Sequence, residues 1–265
     1  MLVLSLIYTL QYKNFPFHLC FTFDLVGSVI TENLLEHEKM NKEIRLTSVS
    51  HEFLLAQQKV SLFNDLSFSL SQGSSASIVG PSGAGKSSLL LLLAGLEQAA
   101  KGSVEFLLDG QPSTLAHLKQ ESGFIFQQFH LLPELDALTN VALPLRLKGE
   151  KGAKERARDW LARVGLKNRL NHKPTQLSGG EQQRVAIARA FVGEPSFIFA
   201  DEPTGNLDES TAAEISELMF GCVRENNTGL VMVTHNRNIA ALADQSYLLL
   251  QGRLQQVSGY QENVA

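Results

Sequence analysis

Cysteine is almost missing from this sequence: Cys20 and Cys222 are the only two in 265 residues. Two isolated thiols build neither a disulfide framework nor a zinc cluster, and a reducing compartment is compatible with them. An excess of positive charge is missing too. Lys and Arg number 23 against 27 Asp and Glu, a formal charge of -4, so nothing favours a surface that grips nucleic acid or anionic lipid throughout. No stretch offers the roughly 18–20 uninterrupted apolar residues of a membrane-spanning helix. The opening MLVLSLIYTLQY is apolar, but Lys13 and Asp24 break the run beyond it. The first basic residue also comes after that opening, whereas a secretory signal places one before it. Internal repeats and low-complexity linkers are lacking as well. What remains is an ordinary globular composition, 44% hydrophobic and 19% charged, whose length suits one large domain or one domain with a sizeable lobe. Composition changes at Met40, where the polar MNKEIRLTSVS begins. The working domain is therefore expected to occupy residues 40–265, with residues 1–39 as a leader outside it.

From Ile44 to Leu70 the pattern is that of strands, and Leu66, Phe68 and Leu70 alternate as on a half-buried antiparallel strand. Residues 76–79 read as a short strand that runs into a glycine-rich loop. The leucine-rich helix after it, residues 87–94, should be buried on more than one face and end at Gly95. Further strands are expected at residues 104–108, before an Asp109-Gly110 turn, and at 123–126, 197–200 and 230–233. Residues 246–251 and 253–257, split by Gly252, read as a closing hairpin. Residues 128–176 break the sheet pattern. Pro133 and Pro144 punctuate an irregular, partly helical stretch, and residues 151–164 form a helix whose Ala157, Leu161 and Val164 share a face with Trp160. Strands alternating with helices, with a helical lobe inserted between two halves, give an α/β class.

Two stretches carry chemistry. Gly80-Pro81-Ser82-Gly83-Ala84-Gly85-Lys86-Ser87 fits the phosphate-loop pattern in full, between a predicted strand and a predicted helix. Its glycines let backbone N–H groups curl around phosphate, Lys86 reaches the terminal phosphates, Ser87 can hold Mg²⁺, and Ser88 can add a phosphate contact. The second stretch is LSGGEQQRVAIARAFVGEPSFIFADEPTGNLD, from Leu177 to Asp208. Ser178 stands three residues before Glu181, the spacing of a capping box, and Gly179 and Gly180 leave the backbone bare at an anion-seeking helix start. Gly193 and Pro195 stop that helix. The strand after it delivers Asp201, placed to hold a magnesium shell, and Glu202, placed to polarise an attacking water. Gln127 and His235 also follow strands and are candidates for a metal-and-water ligand and a γ-phosphate sensor. Read alone, a surface glutamine and a turn histidine would look the same. Asp208 is positioned to cap the helix that carries Ala212, Ile215, Leu218 and Met219. The histidines at 37, 51, 117, 130 and 172 show no metal-ligand spacing.

With a Walker A loop at 80–87, a Q-loop at Gln127, the signature LSGGEQQ at 177–183, a Walker B strand FIFADE at 197–202, a D-loop centred on Asn206-Leu207-Asp208 and an H-loop at His235, the chain resembles an ABC-transporter ATPase over roughly residues 44–257. The strings HKPTQLSGGEQQRVAIARAF and FADEPTGNLD resemble the branch that contains LolD, MacB and FtsE, and above all the YbbA-like ATPases. That resemblance implies a P-loop NTPase core with a RecA-like mixed sheet, an N-terminal antiparallel β subdomain and an inserted helical subdomain at about 128–190. It implies hydrolysis of ATP to ADP and phosphate with Mg²⁺, on the cytoplasmic side of the inner membrane. Glu202, His235 and Gln127 would be catalytic, Ser87, Gln127 and Asp201 would serve the metal, and an aromatic residue would stack on adenine, by spacing Phe53 and failing that Phe63.

Two partners are implied. A second copy would supply its Ser178, Gly179, Gly180 and Glu181 across the interface, with Asp208 coupling the two sites. An integral membrane permease would face the stretch from Phe129 to Pro144 and receive the work. A regulatory ATPase of a cell-division or envelope-remodelling complex is the alternative with the same motifs. A nucleic-acid partner is not expected: DNA-repair members need a long coiled coil that residues 128–176 cannot supply, and translation members usually carry two cassettes. Departures are Asn236 where Asp is usual, and Ser88 where Thr is common.

Overall fold

A computed structural model describes residues 22–23, 29–30, 40–55 and 58–257, with the side chains of 40–52 and 61–257. The chain divides into two units, residues 1–40 and 41–265. In the first, β1 (Thr22–Phe23) pairs antiparallel with β2 (Val29–Ile30); the rest of the expected leader lies outside the described residues.

In the second unit, the period-two stretches fold into β3 (Lys42–Leu55) and β4 (Gln58–Ser71), a long antiparallel pair. Ile44, Leu46 and Val49 from one and Leu66, Phe68 and Leu70 from the other are buried, as alternation requires when one face is covered. β6 (Lys101–Leu108) and β7 (Gln111–Ser113) complete a sheet of order β4-β3-β6-β7. The second sheet has the order β12-β11-β5-β10-β9-β8, from β5 (Ser75–Val79), β8 (Ser122–Phe126), β9 (Phe197–Asp201), β10 (Gly229–Val233), β11 (Gln245–Leu250) and β12 (Arg253–Val257). Its strands are parallel except β12, which folds back on β11 as the closing hairpin.

Successive residues of the central strands face opposite cores. Phe197, Phe199, Val231 and Val233 pack with the antiparallel sheet and with Leu89, Leu90, Leu92 and Leu93 of α1 (Lys86–Leu93). Ile198, Ala200, Leu230 and Met232 pack the other way, under the helices. That double burial is why these strands read as continuous apolar runs. A partly buried network joins the two sheets. Lys42 Nζ donates to Glu121 Oε2 at 2.6 Å and to Ser196 Oγ at 2.8 Å, and Glu121 Oε1 lies 3.0 Å from His117 Nε2.

The helical part is α2 (Leu115–Gln120), α3 (Ala137–Leu147), α4 (Ala153–Arg163), α5 (Gly179–Phe191), α6 (Glu209–Glu225) and α7 (Arg237–Ala240). Pro144 does not end a helix; it lies inside α3. Proline in a helix interior costs about 3 kcal/mol. Burial of Leu138, Val141 and Leu145, at roughly 1.5–3 kcal/mol each, outweighs it. Asn140, fully buried, donates to the carbonyls of Leu132 and Leu135 and accepts from the Leu132 N–H, which fixes the turn before α3. α4 buries Ala157, Trp160 and Leu161 on one face as the sequence indicates, with Trp160 stacked on Phe191 of α5.

Candidate active site

β8, β9 and β10 run in register: Phe126 pairs with Asp201, and Val233 pairs with Asp201 on the other side. β5 ends at the same level, with the Thr234 N–H donating to Ile78 O at 3.2 Å. The residues just past these strands, Gly80, Gln127, Glu202 and His235, therefore emerge at one carboxyl edge, where parallel α/β sheets hold their ligands.

At that edge the loop from Gly80 to Ser88 leads into α1. Gly83 and Gly85 take positive φ, 79° and 92°, which a side chain would resist. Lys86 Nζ donates to the carbonyls of Gly80 and Pro81 at 2.9 and 3.0 Å, so the ammonium lies over the loop that would cradle phosphate. The Ser87 hydroxyl lies close enough to Asp201 to favour its charged form. Burial raises the pKa of Asp201, as does the neighbouring Glu202, while the Ser87 hydroxyl and Lys86 draw it down. A carboxylate held in a partly dry place beside a hydroxyl fits a hard cation, whose charge would relieve the cost of burial. Among the described residues no cluster of three or more His, Cys, Asp or Glu could hold a metal ion. Mg²⁺ is commonly held by one or two carboxylates with substrate phosphate rather than by such a cluster, which leaves Ser87, Asp201 and Gln127 as candidate donors.

Glu202 sits at φ 46°, a left-handed conformation uncommon for a side-chain-bearing residue and typical of strained functional positions. Its Oε2 accepts from the backbone N–H of His235 at 3.2 Å and lies 2.9 Å from His235 Nδ1. Gln127 joins the D-loop: its Nε2 donates to Asn206 Oδ1 at 3.0 Å, and Asn206 Nδ2 returns a bond to the carbonyl of Gln127 at 2.9 Å. A cleft of about 450 Å³ flanks the phosphate loop, bordered by Leu62, Phe63, Pro81, Ser82 and Gly252. Phe63 itself is buried and stacks on His51, with ring centroids 5.7 Å apart, so it belongs to the core. The side chain of Phe53, the first choice for the adenine platform, lies outside the described residues.

The signature forms a separate feature. Ser178 caps α5 in a complete capping box: its hydroxyl accepts from the Glu181 N–H at 3.2 Å and its own N–H donates to Glu181 Oε2 at 2.9 Å. The pKa of Glu181 is lowered, first by that Ser178 backbone bond and then by Arg169. Gly179 and Gly180 face their own chain's D-loop side. A Cβ at Gly180 would come within 2.7 Å of Thr211 Cγ2, and one at Gly179 within 3.3 Å of Leu207 Cδ2. Asp208 caps α6, accepting from the Thr211 N–H at 3.0 Å and from Ser210 Oγ at 2.8 Å. Its pKa is well below the usual carboxylate range, chiefly through Thr211. The structure thus brings Gly80–Ser88, Gln127, Asp201, Glu202 and His235 to one edge. Among the described residues, the side chain of Ser178 bonds only within its own helix start.

Over residues 63–205 the chain matches the family model described as ABC transporter. It belongs to that family. This ABC ATPase is 42% identical to the uncharacterized ABC transporter ATP-binding protein YbbA of Escherichia coli strain K12, over 85% of the chain and 98% of that protein. It is 44% identical to the lipoprotein-releasing system ATP-binding protein LolD of Hydrogenovibrio crunogenus, over 79% of the chain and 94% of LolD. The solved dimer of the ATP-binding cassette MJ0796 in a post-hydrolysis state, bound to ADP and Pi, superposes with a TM-score of 0.71 at 33% identity, covering 82% of this chain and all of that one. The chain is accordingly an ATP-binding subunit with a P-loop NTPase fold, from a family that hydrolyses ATP.

Two residues of the ABC ATPase escape the sequence reading. Gln183, fully buried, donates from Nε2 to Pro203 O at 2.5 Å and ties the signature helix to the turn after Glu202. Arg189 donates to the carbonyls of His130 and Phe129 at 2.6 and 2.7 Å. Its one sequence signal is a long cation amid the small and apolar AIARAF run, where alanine neighbours leave room for it. Beside it, a groove of about 580 Å³ opens between β8, α3 and α5, lined by Phe124, Phe126, His130, Pro144, Leu147 and Arg189.

Proposed function

We propose that two copies of this ABC ATPase close head to tail on two molecules of ATP, hydrolyse them with Mg²⁺, and drive a separate integral membrane permease from the cytoplasmic face of the inner membrane. The observation that carries the proposal is the division of anion-seeking features within one chain. The phosphate loop shares an edge with Asp201, Glu202, Gln127 and His235, whereas the capped start of α5 forms its own anion-seeking end. A helix start with bare glycines is suited to a phosphate, and in this reading a second copy's bound ATP supplies one. MJ0796, similar over 82% of this chain, has been solved as a dimer.

In this reading Gly80–Gly85 and Lys86 hold the phosphates through N–H groups and the ammonium, which turns from the loop carbonyls to the γ-phosphate. Ser87, Asp201 and Gln127 would hold Mg²⁺, which would supply positive charge to offset that of the phosphates. Glu202 takes the proton of the attacking water, and His235, already bonded to the same carboxylate, fixes its direction and meets the γ-phosphate. Phe53 stacks on adenine. The working ATPase is residues 40–265, with its helical subdomain at about 128–190, and Asp208 couples the two sites. The permease faces the stretch from Phe129 to Pro144. The adjoining groove supports this placement, because it is mostly apolar and Leu147 at its rim is 80% exposed, a surface that favours a covering partner. Among the described residues no helix is long and apolar enough to cross a membrane.

The test is Glu202→Gln, which removes the base and keeps the binding groups. At saturating Mg-ATP the variant is expected to accumulate as an ATP-bound dimer in light scattering, with kcat reduced by about 100-fold or more. A variant that stays monomeric there would overturn the composite site.

A further inference from the structure

Two left-handed residues lie just beyond Gln127, and one half-buried cation braces both. Phe129 and His130 take φ 59° and 46°, a conformation that costs a side-chain-bearing residue energy unless the surroundings impose it. Part of that constraint comes from the turn's own bonds, Phe129 N–H to Phe126 O at 3.2 Å and His130 N–H to Gln128 O at 2.6 Å, and the turn is braced from outside by Arg189. Its Nη2 donates to Phe129 O at 2.7 Å and its Nη1 to His130 O at 2.6 Å, a planar fork spanning two successive carbonyls. Burial lowers the pKa of this guanidinium, and among the described residues no carboxylate forms an ion pair with it. The two carbonyls thus serve as its counter-dipoles. Arg189 and His130 both line the 580 Å³ groove, and His130 packs edge-on against Phe126, the last residue of β8, with ring centroids 4.9 Å apart. On the other side, Gln127 is locked to Asn206 by reciprocal bonds.

We propose that Arg189 is a positioning residue for ATP hydrolysis: its fork holds the backbone of Phe129 and His130 so that Gln127 stays at the reaction edge. The proposal rests on the reading of Gln127 as a metal-and-water ligand. A fork across two carbonyls fixes both the height and the twist of the loop, which a lysine, with a single rotatable ammonium, cannot do. A displacement of about 1 Å at a reacting group costs on the order of 100-fold in rate, so a clamp remote from phosphate can govern turnover without touching it.

The full chain is tested as wild type, Gln127→Ala, Arg189→Met, Arg189→Lys and the double variant Gln127→Ala/Arg189→Met. Arg189→Met is expected to lower kcat by about 10- to 100-fold, with the KM for ATP nearly unchanged and the Mg²⁺ concentration for half-maximal rate raised as in Gln127→Ala. The double variant is expected to be no slower than the slower single one, since two residues acting through one position are not additive. Arg189→Lys should recover part of the rate. Independently of turnover, hydrogen exchange monitored by mass spectrometry should quicken in residues 127–135 of both Arg189 variants while α5 stays protected. Additive losses, or exchange that quickens through α5 rather than in the loop, would overturn the proposal and mark Arg189 as a core residue only. If Gln127→Ala alone leaves rate and Mg²⁺ dependence unchanged, the reading of Gln127 fails, and the failure is seen in a variant that leaves Arg189 intact. If Arg189→Met does not fold, the same comparisons are made on Arg189→Lys.

Discussion

Glu121 has three polar neighbours and a different set of consequences from the reaction-edge carboxylates. Burial works to raise its pKa, but the bonds from Lys42 and Ser196 and the nearby charges of Lys42 and His117 outweigh it, and the net direction is down. Asp201 goes the other way because its hydroxyl partner and Lys86 do not offset burial. One carboxylate therefore holds sheets together as an anion, while the other is left wanting a cation. For Glu121 the folded pKa lies below the unfolded value of about 4.3. Its stabilisation is then complete above that pH and is lost as pH falls through the folded value. Glu121→Gln is expected to destabilise the protein by about 1–2 kcal/mol at pH 7, and the gap to wild type should shrink in urea titrations carried out below about pH 4. An unchanged gap across that range would mean that the carboxylate charge contributes nothing there.

Helices and strands show most clearly which features were legible in the sequence. β9 and β10 were readable because burial on both faces makes an unbroken apolar run, and the phosphate loop and capping box because a few residue types at fixed spacing define them. α3 was not, because Pro144 looks like a helix stop while the compensating burial of Leu138, Val141 and Leu145 depends on partners far along the chain. β7 and α2 were too short to show a period. At the site, the phosphate loop, Gln127, Asp201, Glu202 and His235 could be singled out from their motifs, but the Glu202–His235 contact, the Gln127–Asn206 lock and the Arg189 fork are matters of tertiary distance. Gly123 belongs to the same class. It sits in β8 beneath α5, where a Cβ would press into the carbonyl oxygen of Ala190 and come within 2.6 Å of Ile198 Cδ1. Backbone cannot yield as a flexible side chain can, so Gly123→Ala is expected to cost about 1–3 kcal/mol and to lower the denaturation midpoint. Gly221→Ala, whose Cβ would meet nothing within 4 Å and whose φ is not positive, is the control for a methyl added without a clash. Equal losses at both sites would mean that α5 does not press on β8.

At the scale of the molecule, the question is whether one chain contains a whole active site. Its phosphate loop and carboxylates share an edge, and its signature caps a helix whose hydroxyl is held by Glu181. If the signature serves a second copy, two different defects should cancel. Lys86→Ala lacks the phosphate lysine but keeps an intact Ser178; Ser178→Arg blocks the helix start but keeps an intact phosphate loop. Each alone forms homodimers with two broken sites. A mixed dimer pairs the sound loop of one with the sound signature of the other, leaving one site whole and the second broken twice. An equimolar mixture contains mixed dimers in about half of all pairs, each with one of two sites restored, so ATPase activity should recover to about one quarter of wild type, provided that a site works alone. Were the signature used within its own chain, neither protein could repair the other and mixing would restore nothing. The measurement is a phosphate-release assay on each variant and on the mixture at the same total concentration.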